Sequence, residues 1–259
     1  MRVKFLKPMG LLMLNMGIDI RRIIATGNIF KYLKQSIIFR KMGGDISRFR
    51  PILVDYADQA GMAKGHYFHQ DLLVASFIYN KNPDRHVDIG SRIDGFVAHV
   101  ASFRRIDVID IRDLKSIGHE NIHFVKADLM SESNIQRHSA DSISCLHAIE
   151  HFGLGRYGDP IDPDGHIKGL KNIAKILKPG GFLYISFPIG KKTEVYFNAH
   201  RVFEPKAILE FLPKDSGLSL VRFDFVDDFG DLHRECDLLN DRIELEYGCG
   251  IYSFQKSNR

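Results

Sequence analysis

Cysteine is scarce in this chain of 259 residues, which has only Cys145, Cys236 and Cys249. Three thiols are too few for the disulfide framework of a small secreted domain, and their spacing does not match that of cysteine metal ligands. A reducing compartment is the simpler interpretation, so we expect a cytoplasmic protein and predict no metal ligands.

Long apolar runs, internal repeats and low-complexity tracts are also absent. The apolar stretch MGLLMLNMGI, at 9–18, is too short to span a bilayer. It follows Lys4 and Lys7 as in a signal peptide, but no small-residue cleavage site is evident, and we expect no cleaved signal. With 44% apolar and 26% charged residues, the composition is that of an ordinary globular protein.

The net charge of +4 is unevenly distributed. Residues 1–50 hold 11 Lys and Arg against two Asp, a net of +9, so the remainder sums to −5. A basic arm on a slightly acidic body favours attraction to an anionic surface or substrate.

Within 21–42, Ile29, Leu33 and Ile37 share one helical face among basic residues. That pattern is typical of a helix at a membrane surface, and equally of a helix docked on the body. Peripheral membrane association through 1–42 is one hypothesis.

Helical and strand patterns alternate from residue 70 onward, which predicts βαβ units and a parallel sheet covered on both faces. No clear helix separates the last two strands, so we predict that one of them runs antiparallel to the rest. The α/β fold expected is a doubly wound, mostly parallel seven-stranded sheet over 66–259, with an N-terminal helical extension or lid over 1–65. The predicted helices are 70–82, 94–103 and 166–178, and the predicted strands are 85–90, 105–111, 122–127, 142–148, 182–188, 218–226 and 250–256.

Acidic residues lie at three successive strand ends. Asp88 precedes Gly90 at the end of the first strand, Asp110 ends the second, and Asp128 follows the third. Ligands of doubly wound sheets bind beyond the carboxyl ends of the strands, where Gly90 would allow close backbone approach and Asp110 could accept hydrogen bonds from a ribose. The alternative is that each acid caps the helix after it. That explanation is weaker for all three together than for any one.

The loop GSRIDG, at 90–95, distinguishes between two nucleotide cofactors. Dinucleotide-binding folds use G-x-G-x-x-G to bring a helix N-terminus against pyrophosphate. Here Arg92 stands at the second glycine position and would hinder that approach. S-adenosylmethionine has no phosphate and needs less glycine, so the sequence favours this methyl donor over NAD.

Five stretches, VDIGSRIDG, IDVIDIR, VKADLM, DSISCLHAIEHF and ILKPGGFLYISFP, resemble in this order a class I S-adenosylmethionine-dependent methyltransferase across about residues 85–256. The resemblance implies a Rossmann-like methyltransferase fold and an S-adenosylmethionine-binding domain over 66–259. The cofactor-binding residues that it implies are Asp88, Gly90, Ser91 and Arg92 around the methionine part, Asp110 at the ribose, and Asp128 with Leu129 at the adenine.

A narrower resemblance concerns GHYFHQD (65–71), GLGRYGDP (153–160) and FNAHRVF (197–203). These stretches are similar to a methyltransferase-like family of unknown function, found among bacterial surface-glycan genes and elsewhere. The family has no established activity. Its association implies a sugar or glycan intermediate as the acceptor.

Candidate catalytic residues follow the fourth and fifth strands. Methylation of a hydroxyl needs alignment and usually a base, and histidine suits that role because its pKa lies near neutrality. His147 ends the fourth strand and Glu150 and His151 follow it; the alternative is a His–Glu pair that only orients a helix start. After the fifth strand, His200 is the next candidate base, and Arg201 would suit a phosphate or carboxylate on the acceptor.

Two further groups of polar residues allow more than one interpretation. The loop 155–166 contains Asp159, Asp162, Asp164 and His166, which could bind Mg²⁺ or Ca²⁺. Asp-Pro and Asp-Gly also form ordinary turns, and we favour turns here, with Asp164 capping the next helix. Near the start of the main domain, His66, His69 and Asp71 either close over the site or belong to a packed helix start.

The leading functional hypothesis is O-methylation of a sugar or glycan intermediate at the cytoplasmic face of the membrane. A second is a non-catalytic nucleoside-binding module in glycan assembly. A third is a nucleic-acid methyltransferase, for which the basic arm would be the electrostatic footprint. Against the third, the fourth strand lacks an Asp/Asn-Pro-Pro-aromatic signature and the arm has little aromatic interleaving, so nucleic acid is not the expected partner. The oligomeric state is left open.

Overall fold

The structure is a computed structural model that describes residues 19–115, 118–131 and 136–258, with only the backbone of Ile20 and Arg21. The apolar stretch at 9–18 lies outside the described residues. The chain forms two compact units that divide after Met62, whereas the sequence places the boundary after residue 65. Each unit is described by itself.

The described part of the first unit is helical and then extended. Helix α1 is Ile20–Ala25, a 3₁₀ turn covers Thr26–Asn28, and helix α2 is Ile29–Lys41. Asn28 Nδ2 donates to Leu53 O at 2.9 Å, so the extended segment lies back along the helices. Leu33 and Ile37 are 45% and 55% exposed, so the other residues of this unit do not bury these two members of the predicted apolar face. In the described residues, no helix has both the length and the apolarity needed to cross a bilayer.

Among the described residues, the second unit has eight strands in one sheet, in the order β3-β2-β1-β4-β5-β10-β8-β9. Pairs among β1 to β5 are parallel, and β10 lies antiparallel between β5 and β8. A separate hairpin contains β6 and β7. The strands are β1 His86–Ile89, β2 Ile106–Asp110, β3 Ile122–Lys126, β4 Ala140–Leu146, β5 Leu177–Ile189, β6 Glu194–Tyr196, β7 His200–Val202, β8 Leu218–Val226, β9 Leu232–His233 and β10 Gly248–Lys256.

Helices of the second unit cover both faces of this sheet. One apolar core contains Leu170 and Ile173 of helix α5 with Ile143 of β4. The other contains Val74 of helix α3 and Val108 of β2. The helices are α3 His66–Lys81, a π-helical turn Ile93–Val97 followed by α4 Ala98–Ala101, α5 Gly165–Ile176 and α6 Ala207–Phe211; a 3₁₀ turn covers Ile149–His151.

The predicted fold class is confirmed: in a doubly wound, mostly parallel sheet, the long C-terminal strand β10 runs antiparallel to β5, and so does the short edge strand β9. All seven predicted strands are present. The eighth, β9, is a two-residue edge strand, too short to produce a periodic pattern.

Two predicted details of the helices were wrong. The segment 94–103 is not one α-helix: Gly95 adopts non-helical angles of φ −123° and ψ −107° inside the π-helical turn, and only Ala98–Ala101 is α-helical. KPGG does not close helix α5, which ends at Ile176. Those four residues lie within β5, where the pairing with β4 shifts register between Ala140 and Ser142.

Candidate functional site

A cleft lies at the carboxyl ends of β1, β2, β3 and β4, where the strand order reverses between β1 and β4. This is the switch point at which doubly wound folds bind their ligands. The predicted cofactor residues that line the cleft are Gly90, Arg92, Asp110, Asp128 and Leu129, and the predicted catalytic residues that line it are His147 and His151.

Gly90 is the first residue of the loop after β1. Its φ of +68° lies in the left-handed region that favours glycine. A Cβ at this position would lie 3.0 Å from the Cβ of Ala148, which also lines the cleft. Both the backbone conformation and the nearby Ala148 therefore favour glycine at this position.

Asp88 and Ser91 lie behind this loop and not among the residues that line the cleft. The Asp88 carboxylate is fully buried and accepts hydrogen bonds from Ser91 N at 3.1 Å and Ser91 Oγ at 2.7 Å. It also accepts one from Ser144 Oγ in β4 at 2.5 Å. These contacts hold the loop against the neighbouring strand, so the part that Asp88 plays in this structure is to position Gly90.

Asp110 lines the cleft, but its carboxylate is already paired. Oδ1 accepts from Arg112 N at 2.8 Å, and Oδ2 lies 2.6 Å from Arg112 Nη2. The Arg112 guanidinium also lies 4.5 Å from the ring centroid of Tyr157, which lines the cleft as well. Sequence reasoning missed both residues; the tyrosine in GLGRYGDP was the available signal.

Asp128 and Leu129 form a further part of the wall. Asp128 Oδ1 accepts from Met130 N at 2.8 Å, and Leu129 O accepts from Asn172 Nδ2 of helix α5 at 2.9 Å. Like Asp88 and Asp110, Asp128 therefore accepts a backbone N–H two or three residues further along the chain, the kind of contact that a capping acid makes. Asp110 and Asp128 differ from Asp88 because they also line the cleft.

Arg92 remains near solvent at the rim. Its guanidinium pairs with Asp94, with a nitrogen–oxygen distance of 3.0 Å, and lies 5.4 Å from the ring centroid of Tyr67. Tyr67 lines the cleft and was not predicted to do so. The GHYFHQD stretch begins helix α3, so its first turn reaches this cleft.

Two histidines share one buried carboxylate at the end of β4. His147 Nδ1 donates to Glu150 Oε1 at 2.9 Å, and His151 Nε2 lies 3.8 Å from the same oxygen. Glu150 is 1% exposed and lies behind the cleft wall. His200 has its ring centroid 6.4 Å from that of His151 but does not itself line the cleft.

The two histidines differ in their proton chemistry. Burial lowers the pKa of His147, but interactions with Cys249 and Glu150 outweigh it and leave this pKa well above its ordinary value. Burial lowers the pKa of His151. His151 Nδ1 donates to Ala199 O at 2.7 Å, so the neutral ring carries its lone pair on Nε2. His151 is the better proton acceptor of the two.

The acids of the loop 155–166 form turns and do not gather as metal ligands in the described part of the chain. Asp159 accepts from Gly153 N, Gly155 N and Tyr157 N, and Asp162 pairs with Lys168. The predicted cap is absent, since the side chain of Asp164 makes no capping hydrogen bond to helix α5.

Arg201 does not contact the cleft, contrary to the expectation that it could reach an acceptor. It is 3% exposed, and its guanidinium donates to the backbone oxygens of Glu150, Phe152 and Pro163. Its hydrogen bonds therefore join the β4 loop to the start of helix α5.

Comparisons with known proteins show which solved structures have a similar fold. The chain resembles 1,6-didemethyltoxoflavin-N1-methyltransferase from Burkholderia thailandensis with a TM-score of 0.53 and 16% identity, over 73% of this chain and 78% of that one. It resembles an S-adenosylmethionine-dependent methyltransferase from Clostridium acetobutylicum with a TM-score of 0.50 and 14% identity, over 87% and 99%. The [4+2]-cyclase SpnF gives a TM-score of 0.53 and 13% identity, over 86% and 93%.

The fold is thus the Rossmann-like fold of class I methyltransferases, and the cyclase is one reason why the fold alone does not fix a reaction. A family model described as a Caenorhabditis protein of unknown function, DUF268, matches residues 112–240. That description carries no link to glycans. No curated protein matches the chain.

Asp88→Asn is expected to change how stability depends on pH. Burial raises the pKa of Asp88 from its ordinary 3.8 to about 6. As the pH rises between these values, the unfolded chain releases this proton and the folded chain retains it. The wild-type free energy of unfolding should therefore fall with rising pH, by up to about 3 kcal/mol from this group. The variant should lose that part of the fall.

Urea denaturation at several pH values between 4 and 7 measures the effect. Asp215→Asn, at an exposed position, is the matched control and should retain the wild-type slope. Equal slopes in wild type and Asp88→Asn would show that the buried carboxyl does not titrate as described.

Proposed function

We propose that this protein is an S-adenosylmethionine-dependent methyltransferase whose donor binds in the cleft at the switch point. One observation carries the proposal: Gly90, Asp110 and Asp128 come from the ends of three successive strands and line one cleft. A loop that admits close approach, an acid after the second strand and an acid after the third strand are the features expected of this donor's site.

The residues present fit the donor part by part. The backbone at Gly90 would lie along the methionine part, Asp110 would accept from the ribose hydroxyls, and Asp128 with Leu129 would contact the adenine. When bound, S-adenosylmethionine supplies an electrophilic methyl group. Asp110 would have to share its carboxylate between the ribose and Arg112, and a carboxylate has enough lone pairs to do so.

His151 is proposed as the general base. Its Nε2 lone pair would accept the proton of the acceptor hydroxyl, and Glu150 Oε1, 3.8 Å away, would stabilise the imidazolium that results. The Ala199 carbonyl holds the tautomer by accepting from Nδ1. His147 is a weaker candidate because its raised pKa keeps its ring protonated.

The proposed acceptor is a hydroxyl of a sugar or glycan intermediate. A poised base supports an oxygen acceptor, because a hydroxyl must lose its proton as the new bond forms. The resemblance of GHYFHQD and FNAHRVF to a family found among surface-glycan genes supports the carbohydrate. Mass analysis of candidate glycan pools after incubation with labelled donor would identify the acceptor.

A second candidate is a nucleoside-binding module without methyl transfer. The likeness to the [4+2]-cyclase SpnF supports it, since this fold does not by itself require methyl transfer. Donor binding without turnover on any acceptor would support this candidate.

Asp110→Ala should weaken binding of S-adenosylhomocysteine by about 1–3 kcal/mol, because a ribose hydroxyl loses its acceptor. Isothermal calorimetry measures this directly. Asp113→Ala is the matched control, since Asp113 is exposed and does not line the cleft. Tight binding of NADH together with no response to S-adenosylhomocysteine would overturn the proposal.

His151→Ala should lower turnover on the true acceptor by about 10²–10⁴-fold with donor affinity unchanged, as removal of a general base does. Because burial places the pKa of His151 below its ordinary value, the wild-type rate should decline only at acidic pH. His147→Ala should cost less, and the exposed His119→Ala should cost nothing. Near-normal turnover in His151→Ala would make His200 the next candidate.

We further propose that residues 1–42 attach the protein to an anionic membrane surface. Exposed Leu33 and Ile37 support this, together with the basic residues around them on helix α2.

Lys34→Glu with Lys41→Glu should weaken binding to anionic vesicles by about 1 kcal/mol for each lysine, and added salt should weaken wild-type binding. Lys214→Glu, in the other unit, is the control. Binding that is absent or insensitive to salt would leave the arm a structural element.

A further inference from the structure

Three residues that the proposed reaction does not explain meet beside the cleft. His66 begins helix α3, His147 follows β4, and Cys249 lies in β10. One potential ligand atom from each lies within 4.8 Å of the other two. The sequence could not indicate this cluster, because its members come from three distant segments.

His147 is oriented as a metal-binding histidine would be. Its Nδ1 donates to Glu150, which leaves Nε2 as the remaining nitrogen. Nε2 is buried and, within the described residues, has no hydrogen-bond partner of ordinary geometry. A carboxylate behind a ligating histidine is the usual arrangement at protein metal sites, where it fixes the ring and strengthens the ligand.

Neighbouring rings hold His66 in place. Its ring stacks on the ring of His147, with centroids 5.3 Å apart and planes 7° apart, and on the ring of Tyr247, with centroids 5.6 Å apart. These contacts fix the His66 ring beside that of His147. Both histidines therefore offer a nitrogen to the same small space.

Cys249 supplies the third group. Its side chain is fully buried, and its Sγ has long contacts of 3.7 Å to Gln70 Oε1 and Gly250 O. The sulfur also interacts with His147, the neighbouring member of the cluster. Its place in the central strand β10 makes it a rigid ligand.

We propose that His66, His147 and Cys249 bind a divalent zinc ion. Two imidazole nitrogens and a thiolate suit zinc, which binds nitrogen at about 2.0–2.1 Å and sulfur at about 2.3 Å. Three protein ligands leave the fourth tetrahedral position for water or a substrate atom. Because His147 lines the cleft, an ion bound to it would lie beside the cleft. When the metal binds, Cys249 loses its thiol proton and His147 loses its Nε2 proton, both to solvent.

The test is a titration of the chelator-treated full-length chain with Zn²⁺ and, separately, with Co²⁺. One ion should bind per chain, with proton release, and Co²⁺ should give the absorption of a cobalt–thiolate bond. Cys249→Ser should abolish that absorption and weaken Zn²⁺ binding at least 10-fold. Cys236→Ser is the matched control, a free thiol outside the cluster, and should bind as wild type does.

Two further variants keep the result interpretable. His66→Ala, at a partly exposed helix start, should weaken Zn²⁺ binding even if Cys249→Ser fails to fold. Glu150→Gln should weaken binding by about 10–100-fold, as loss of a carboxylate behind a ligating histidine does. Absence of stoichiometric binding, or binding unchanged by Cys249→Ser and His66→Ala, would overturn the proposal. Binding of S-adenosylhomocysteine, measured on the same samples, tests the proposed function separately.

Discussion

The site depends on a carboxylate buried in the middle of the sheet. Asp88 faces the interior of β1 opposite Ser144 of β4, and it joins these two strands to Ser91 in the loop between them and the cleft. Burying this group is costly unless several donors satisfy it, and three do. The contacts that offset the cost also fix Gly90, so the stability of the sheet centre and the shape of the cleft are not independent.

Most of the fold could be predicted because it follows from local patterns. Apolar strands alternating with amphipathic helices, such as the one that buries Leu170 and Ile173, imply a sheet covered on both faces. Gly95 and KPGG misled prediction because their effect depends on tertiary context. A glycine near the start of a helix can either continue the helix or break it, depending on the residues packed around it. A Lys-Pro-Gly-Gly stretch usually ends a helix, but it can also lie inside a strand whose pairing register shifts.

The site was predictable only where it lies at strand ends. Asp110 and Asp128 are found from their position after a strand, because parallel strands bring their carboxyl ends together. Arg112, Tyr157 and the cluster around Cys249 could not be found in this way. Their positions depend on how separate loops and strands pack in three dimensions. The spacing of the cysteines along the sequence does not indicate which residues lie near them in the fold.

The Asp110–Arg112 pair lowers the affinity that this cleft shows for any ligand that needs the Asp110 carboxylate. A ligand that needs the Asp110 carboxylate binds fully only to the fraction of molecules in which Arg112 leaves room. The observed dissociation constant then equals the intrinsic one divided by that fraction. Arg112 is about half exposed, so solvent and salt can shift this fraction. Arg112 therefore competes with the ligand for the Asp110 carboxylate. The affinity of the cleft depends both on its contacts with the ligand and on the fraction of molecules in which Asp110 is available.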